Sequence, residues 1–119
     1  MKVLIADDDL LIRKMVSDLL AEMGHLAVVA SSGAEAVALA ATERPDVLVL
    51  DFLMPRLSGL DALRSIRAAG NRAPAILLSA ISDRSVRAVE GAEAVDVVLE
   101  KPVSRRALER AFAKVAAGR

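Results

Sequence analysis

Short apolar runs and amphipathic stripes alternate along this chain. Val3 to Ala6 is an apolar run that ends at Asp7-Asp8-Asp9. From Leu10 to Met23, the residues Leu11, Ile12, Met15, Val16, Leu19, Leu20 and Met23 recur at helical spacing, with Arg13, Lys14, Ser17, Asp18 and Glu22 opposite. Asp9 is placed to cap that helix and Gly24 to stop it. Leu26 to Ala30 predicts a second strand, and an Ala-rich helix runs from Ser31-Ser32-Gly33 to near Arg44, before Pro45. Val47 to Leu50 is apolar throughout and ends in Asp51. It is too short for a helix and reads as a strand buried on both faces. Ser58 caps a third helix through Leu60, Leu63, Ile66 and Arg67, which Gly70-Asn71 ends. Ala75 to Leu78 is a fourth strand that delivers Ser79. Between Asp83 and Gly91 the apolar content falls to Val86, Ala88 and Val89, predicting a short, weakly anchored fourth helix. Val95 to Leu99 predicts a fifth strand ending at Glu100-Lys101-Pro102, and Ser104 caps a last helix with Leu108, Phe112 and Val115.

Regular alternation of strand and helix predicts an α/β doubly wound fold, a five-stranded parallel sheet with helices on both faces. At 119 residues and 55% hydrophobic, the chain is expected to form one domain over residues 1–119. Sixteen basic and sixteen acidic residues cancel, so no general affinity for nucleic acid or anionic membrane is expected. The absence of cysteine excludes disulfides, thiolate metal sites and a cysteine nucleophile. Only four apolar residues separate Met1-Lys2 from Asp7, too few for a signal peptide core or a membrane span. A soluble, cytoplasmic protein is expected. Arg119 falls about one helix beyond the last strand, and no output domain is expected within the chain.

If the first, third, fourth and fifth strands end side by side, Asp7, Asp8, Asp51, Ser79 and Lys101 converge where open α/β sheets bind ligands. Clustered carboxylates repel, and a hard divalent cation relieves the repulsion. Magnesium suits that set, with acids and a backbone carbonyl from the loop after Asp51 as oxygen ligands and a position left for a phosphoryl oxygen. Ser79 and Lys101 supply donors for the other phosphoryl oxygens, and a carboxylate opposite them is placed to attack. The constellation points to phosphoryl acceptance.

These residues carry a resemblance to the receiver domains of the two-component response-regulator family, over the full length of the chain. Asp7-Asp8 matches the family's acidic pair and Asp51 its phosphoacceptor. Pro55 and Gly59 match its loop residues, Ser79-Ala80 its hydroxyl-small pair and Lys101-Pro102 its lysine-proline pair. The resemblance implies a flavodoxin-like (βα)5 fold with sheet order 2-1-3-4-5. It also implies that Asp8, Asp51 and the Leu53 backbone carbonyl bind Mg2+ directly and Asp7 through water. Ser79 and Lys101 would then meet the phosphoryl group, with the Lys101–Pro102 bond cis. The implied donor is a sensor histidine kinase or histidine phosphotransfer protein, docking near Ile12 and Met15 beside Pro102 and Val103. The implied output is a downstream protein target or a fused output domain, with a phosphorylation-dependent dimer left open. Such a protein is no enzyme beyond catalysing its own phosphorylation and dephosphorylation.

The chain departs from the family at Val98, where an aromatic residue is usual. An aromatic switch cannot operate there, and the 81–91 segment is expected to respond instead. Leu53 and Ile81 sit where, in the family, side chains influence water attack on the acyl phosphate, and being apolar they imply a phosphorylated state longer-lived than polar residues there would give. Two rival readings fit the residues less well. A haloacid-dehalogenase-like phosphatase needs an acid two residues after its nucleophile, where this chain has Leu53. A pseudo-receiver, independent of phosphorylation, fits poorly with the intact acid, hydroxyl and lysine set. His25 is expected to be a solvated side chain, and Arg84, Arg87, Arg105, Arg106, Arg110 and Lys114 a solvated basic surface.

Overall fold

A computed structural model describes residues 1–117, so the expected domain end at Arg119 lies outside the described residues. Strands β1 (Lys2–Ala6), β2 (Leu26–Ala30), β3 (Val47–Asp51), β4 (Ala75–Ser79) and β5 (Val97–Glu100) form one parallel sheet, order β2-β1-β3-β4-β5. The helices between and after them are α1 (Leu10–Glu22), α2 (Gly33–Glu43), α3 (Gly59–Ala68), α4 (Asp83–Arg87) and α5 (Arg105–Ala117).

Side-chain alternation along each strand feeds two cores. On one face Val3, Ile5, Val47, Val49, Ile76 and Leu78 meet Val16 and Leu20 of α1 and Leu108, Phe112 and Val115 of α5. On the other, Leu4, Leu48, Leu50 and Leu77 meet Ala36 and Ala40 of α2, Leu60, Leu63 and Ile66 of α3, and Val86 of α4. Small alanines on α2 let that helix lie close, while larger side chains fill the space under α3. Every residue of β3 and β4 is buried, which explains why both read as unbroken apolar runs.

The expected caps hold. The Asp9 carboxylate accepts from the Leu11 and Ile12 N–H groups at 2.9 and 3.3 Å. Ser58 Oγ accepts from Asp61 N–H at 3.1 Å and Ser104 Oγ from Ala107 N–H at 3.1 Å.

The fourth helix is short, as expected: it ends at Arg87, after which the chain turns through Gly91 (φ 93°) into a 3-10 turn at Ala92–Ala94. Two local expectations need correction. The fifth strand begins at Val97, because the Asp96 carboxylate accepts from Ala75 N–H at 2.8 Å and Arg87 occupies the Val95 carbonyl at 2.8 Å. His25 is not a freely solvated side chain. Its ring stacks on Phe112 with centroids 4.8 Å apart, and its Nδ1 lies 3.1 Å from the Met1 amino group. Partial burial, then that amino charge, hold its pKa below the ordinary 6.5. Among the described residues, no helix is long and apolar enough to cross a membrane.

Candidate functional site

Adjacent parallel strands bring their carboxyl ends level. Ala6 of β1 pairs with Leu50 of β3, so Asp7 and Asp51 leave the sheet side by side. Ser79 of β4 pairs with Glu100 of β5, which puts Lys101 at the same rim. Carboxylate oxygens of Asp7, Asp8 and Asp51 all lie within 4.8 Å of one another.

Asp7 is fully buried and completely engaged. Its Oδ1 accepts from Asp9 N–H at 2.9 Å, its Oδ2 lies 3.2 Å from Lys101 Nζ, and its carbonyl accepts from Arg13 Nη1 at 2.9 Å. Asp51 is 5% exposed, with Oδ1 3.0 Å from Lys101 Nζ. Asp8, by contrast, faces solvent. Burial pushes the Asp51 carboxyl up to about 6; the Lys101 hydrogen bond opposes this, and the Asp7 and Asp8 charges add to it. Burial alone would lower the Lys101 ammonium, but its hydrogen bonds and charge interactions with Asp51 and Asp7 outweigh that and leave it raised. The lysine is therefore a fixed cation between two acids.

The cleft above these groups has a volume of about 270 Å³ and is lined by Asp7, Asp8, Asp9, Asp51, Phe52, Leu53, Ala80 and Lys101. A larger, mostly apolar hollow of about 540 Å³ lies at the opposite end of the sheet, with only Asp46 and Arg72 as charged lining residues. The smaller cleft is the one with chemistry. Its oxygen-only acidic donors suit a hard divalent cation.

The structure brings Asp7, Asp8, Asp51, Leu53 and Lys101 to one cleft, but Ser79 is turned elsewhere. Ser79 Oγ accepts from Ile81 N–H and donates to the Ile81 carbonyl, each at 3.0 Å. The Lys101–Pro102 bond is cis, as expected.

The loop that carries Leu53 is tightly held. Pro55 O accepts from Leu57 N–H at 2.8 Å across Arg56, whose φ is 70°, forming a left-handed γ-turn. A Cβ on Gly33 would lie 2.6 Å from the Leu57 carbonyl oxygen, and one on Gly59 would overlap the Asp51 carbonyl oxygen. Only glycine fits at either helix start.

Arg13 was missed by sequence reasoning, which assigned it to the polar face of α1. A long side chain reaching back six residues to a backbone carbonyl follows no spacing rule that a sequence displays.

Leu53, which lines the cleft, is 66% exposed, and Ile81, next in sequence to the lining residue Ala80, is 42% exposed. Ile12, Met15, Lys101, Pro102 and Val103 line an apolar groove beside the cleft.

Residues 3–113 match the model of the response regulator receiver domain, and the chain belongs to that family. It is the receiver domain of a two-component response regulator, a signalling family rather than an enzyme class. Response regulator MprA of Mycobacterium avium is 39% identical over 118 residues, covering 98% of this chain and 50% of that protein. The chain thus spans about half the length of the curated relatives of this kind that it matches. The Francisella response regulator 1452 receiver domain superposes with TM-score 0.85 at 35% identity, covering 99% of this chain and 98% of that one. Response regulator protein TrrA of Thermotoga maritima, solved in complex with Mg(2+)-BeF, has TM-score 0.87 at 30% identity, covering 96% and 97%.

Proposed function

We propose that this receiver accepts a phosphoryl group on Asp51 from a phosphohistidine of a sensor kinase or phosphotransfer protein, with magnesium bound. One observation carries this reading above the others. Lys101 Nζ lies 3.0 Å from Asp51 and 3.2 Å from Asp7 in a cleft that also holds the solvent-facing carboxylate of Asp8. Stability alone gives no reason to crowd three acids around one lysine, because half-compensated buried charge is costly.

Asp8, Asp51 and the Leu53 carbonyl are the proposed direct ligands. Both Asp7 carboxylate oxygens are already engaged, which supports its acting through water. When bound, magnesium supplies positive charge against the carboxylates and the phosphoryl oxygens. An Asp51 oxygen attacks phosphorus; the P–N bond breaks, its electron pair stays on the imidazole nitrogen, and an acyl phosphate P–O bond forms. A carboxylate whose pKa is raised to about 6 is mostly ionised at neutral pH and more nucleophilic than an ordinary one. Lys101 is placed to donate to a phosphoryl oxygen, and Ser79 does so after giving up its bonds to Ile81. Leu53 and Ile81, both apolar, limit water attack on the product. The Mg(2+)-BeF complex of the Thermotoga relative supports the same use of this cleft.

Further parts of the proposal rest on family membership. The donor docks on the groove formed by Ile12, Met15, Pro102 and Val103, and the signal passes to a protein target or to an output domain of a longer chain. Residues 1–119 act as one receiver unit in the cytoplasm.

The test is intact mass after incubation with magnesium and acetyl phosphate. Wild type is expected to gain one phosphoryl group, and neither Asp51→Asn nor metal-free wild type should. An unchanged wild-type mass, with magnesium binding intact, would overturn the proposal and leave the pseudo-receiver reading.

A further inference from the structure

Strand β5 carries no aromatic side chain, and Val98 on it is half-buried against the core that holds Val86. A second connection between α4 and β5 is nevertheless present. Arg87, the last residue of α4, donates from Nε to Asp83 in its own helix at 3.0 Å. Its Nη1 donates to the carbonyls of Ala92 at 3.0 Å and Val95 at 2.8 Å. Those carbonyls belong to the 3-10 turn and to the residues that lead into β5. One guanidinium therefore grips α4 with one nitrogen and the approach to β5 with another.

The opposite end of α4 is tied to Ser79. Ser79 Oγ holds Ile81 through two hydrogen bonds, and the next residue, Ser82, caps α4 by accepting from Ser85 N–H at 3.1 Å. A hydroxyl that turns toward Asp51 must break both bonds to Ile81. The start of α4 is then free to shift. Five residues are too few to form a stable helix alone, so α4 is placed by its ties and by the buried Val86.

We propose that Arg87 is the positioning residue that carries a change at Ser79 through α4 to β5, in place of an aromatic side chain at position 98. The proposal rests on the phosphoacceptor reading of Asp51. Arg67 braces the other side of the same turn, donating to Ala73 O at 2.6 Å and Ala94 O at 3.5 Å. The 92–95 turn is thus held between an arginine from α3 and an arginine from α4. Only the second sits on the element that Ser79 releases.

Hydrogen exchange with and without magnesium and beryllofluoride, an unreactive phosphoryl mimic, tests this. In wild type, segments 81–88 and 92–98 should both change. In Arg87→Met, the 81–88 change should persist while the 92–98 change falls below half of the wild-type value. An equal 92–98 response in the variant, or none in wild type that binds the mimic, would overturn the proposal alone. Failure of wild type to bind the mimic, read by fluorine NMR, would overturn the phosphoacceptor reading and this proposal with it. If Arg87→Met does not fold, the wild-type Arg87 Nε–H resonance decides: a shift on adding the mimic supports the coupling, and an unmoved signal refutes it.

Discussion

Lys101 stands between Asp7 and Asp51, and the three residues share one arrangement of charge. Without a metal, Asp51 is the least comfortable member, held near pH 6 against an ordinary 3.8. The folded state therefore binds the Asp51 proton more tightly than the unfolded state does. The stability this lends is complete below about 3.8 and is lost as pH rises through about 6. Above that, ionised Asp51 works against folding. Asp51→Asn is expected to be more stable than wild type in metal-free buffer by about 1 to 2 kcal/mol at about pH 7.5, and no more stable at about pH 3.5. Paired urea unfolding curves at the two pH values check this, and a wild type that is the more stable at the higher pH would contradict it. Family-level motifs singled out this carboxylate as the proposed acceptor. The orientation of Ser79 was not legible, because it depends on the backbone of Ile81, which no side-chain pattern reveals.

At the scale of elements, helix starts hold the site in place. The α3 N-terminus approaches the end of β3 so closely that Gly59 N–H donates to Phe52 O at 2.9 Å and a Cβ at residue 59 would overlap the Asp51 carbonyl oxygen. Gly59→Ala must push α3 away from β3. A loss of about 1 to 3 kcal/mol is expected from urea unfolding, with weaker magnesium binding by calorimetry, since Leu53 and Asp51 lie in the displaced segment. Gly70, with open space around its absent side chain, offers no such clash. Strands β1, β3 and β4 were legible because full burial leaves an unbroken apolar run ending in a polar residue. The start of β5 was not. Asp96 falls inside the expected strand Val95 to Leu99, whereas its carboxylate accepts from Ala75 N–H before the strand starts at Val97. The shortness of α4 was legible in its low apolar content, but the reach of Arg87 to carbonyls beyond the helix was not.

Across the whole molecule, the sheet separates two cores and brings Asp7, Asp8, Asp51 and Lys101 to one rim. Binding of a cation there stabilises only the folded chain, because the acids come from separate parts of the sequence. At magnesium ten times above its dissociation constant, the gain is about 1.4 kcal/mol, raising Tm by about 5 °C. Calorimetry in magnesium and in chelator measures this, and Asp8→Asn should abolish most of the shift. An equal shift in that variant would place the ion elsewhere.

The contact between Lys101 and Asp7 spans 94 positions of sequence. It follows that the segments carrying β1 and β3 hold the acids, while the ammonium that balances them comes from the residue after β5. A chain interrupted before β5 keeps the negative cluster and lacks its internal counter-charge. The charge balance of the rim is therefore complete only when the last strand has docked, and Lys101 ties the proposed acceptor to the far end of the sequence.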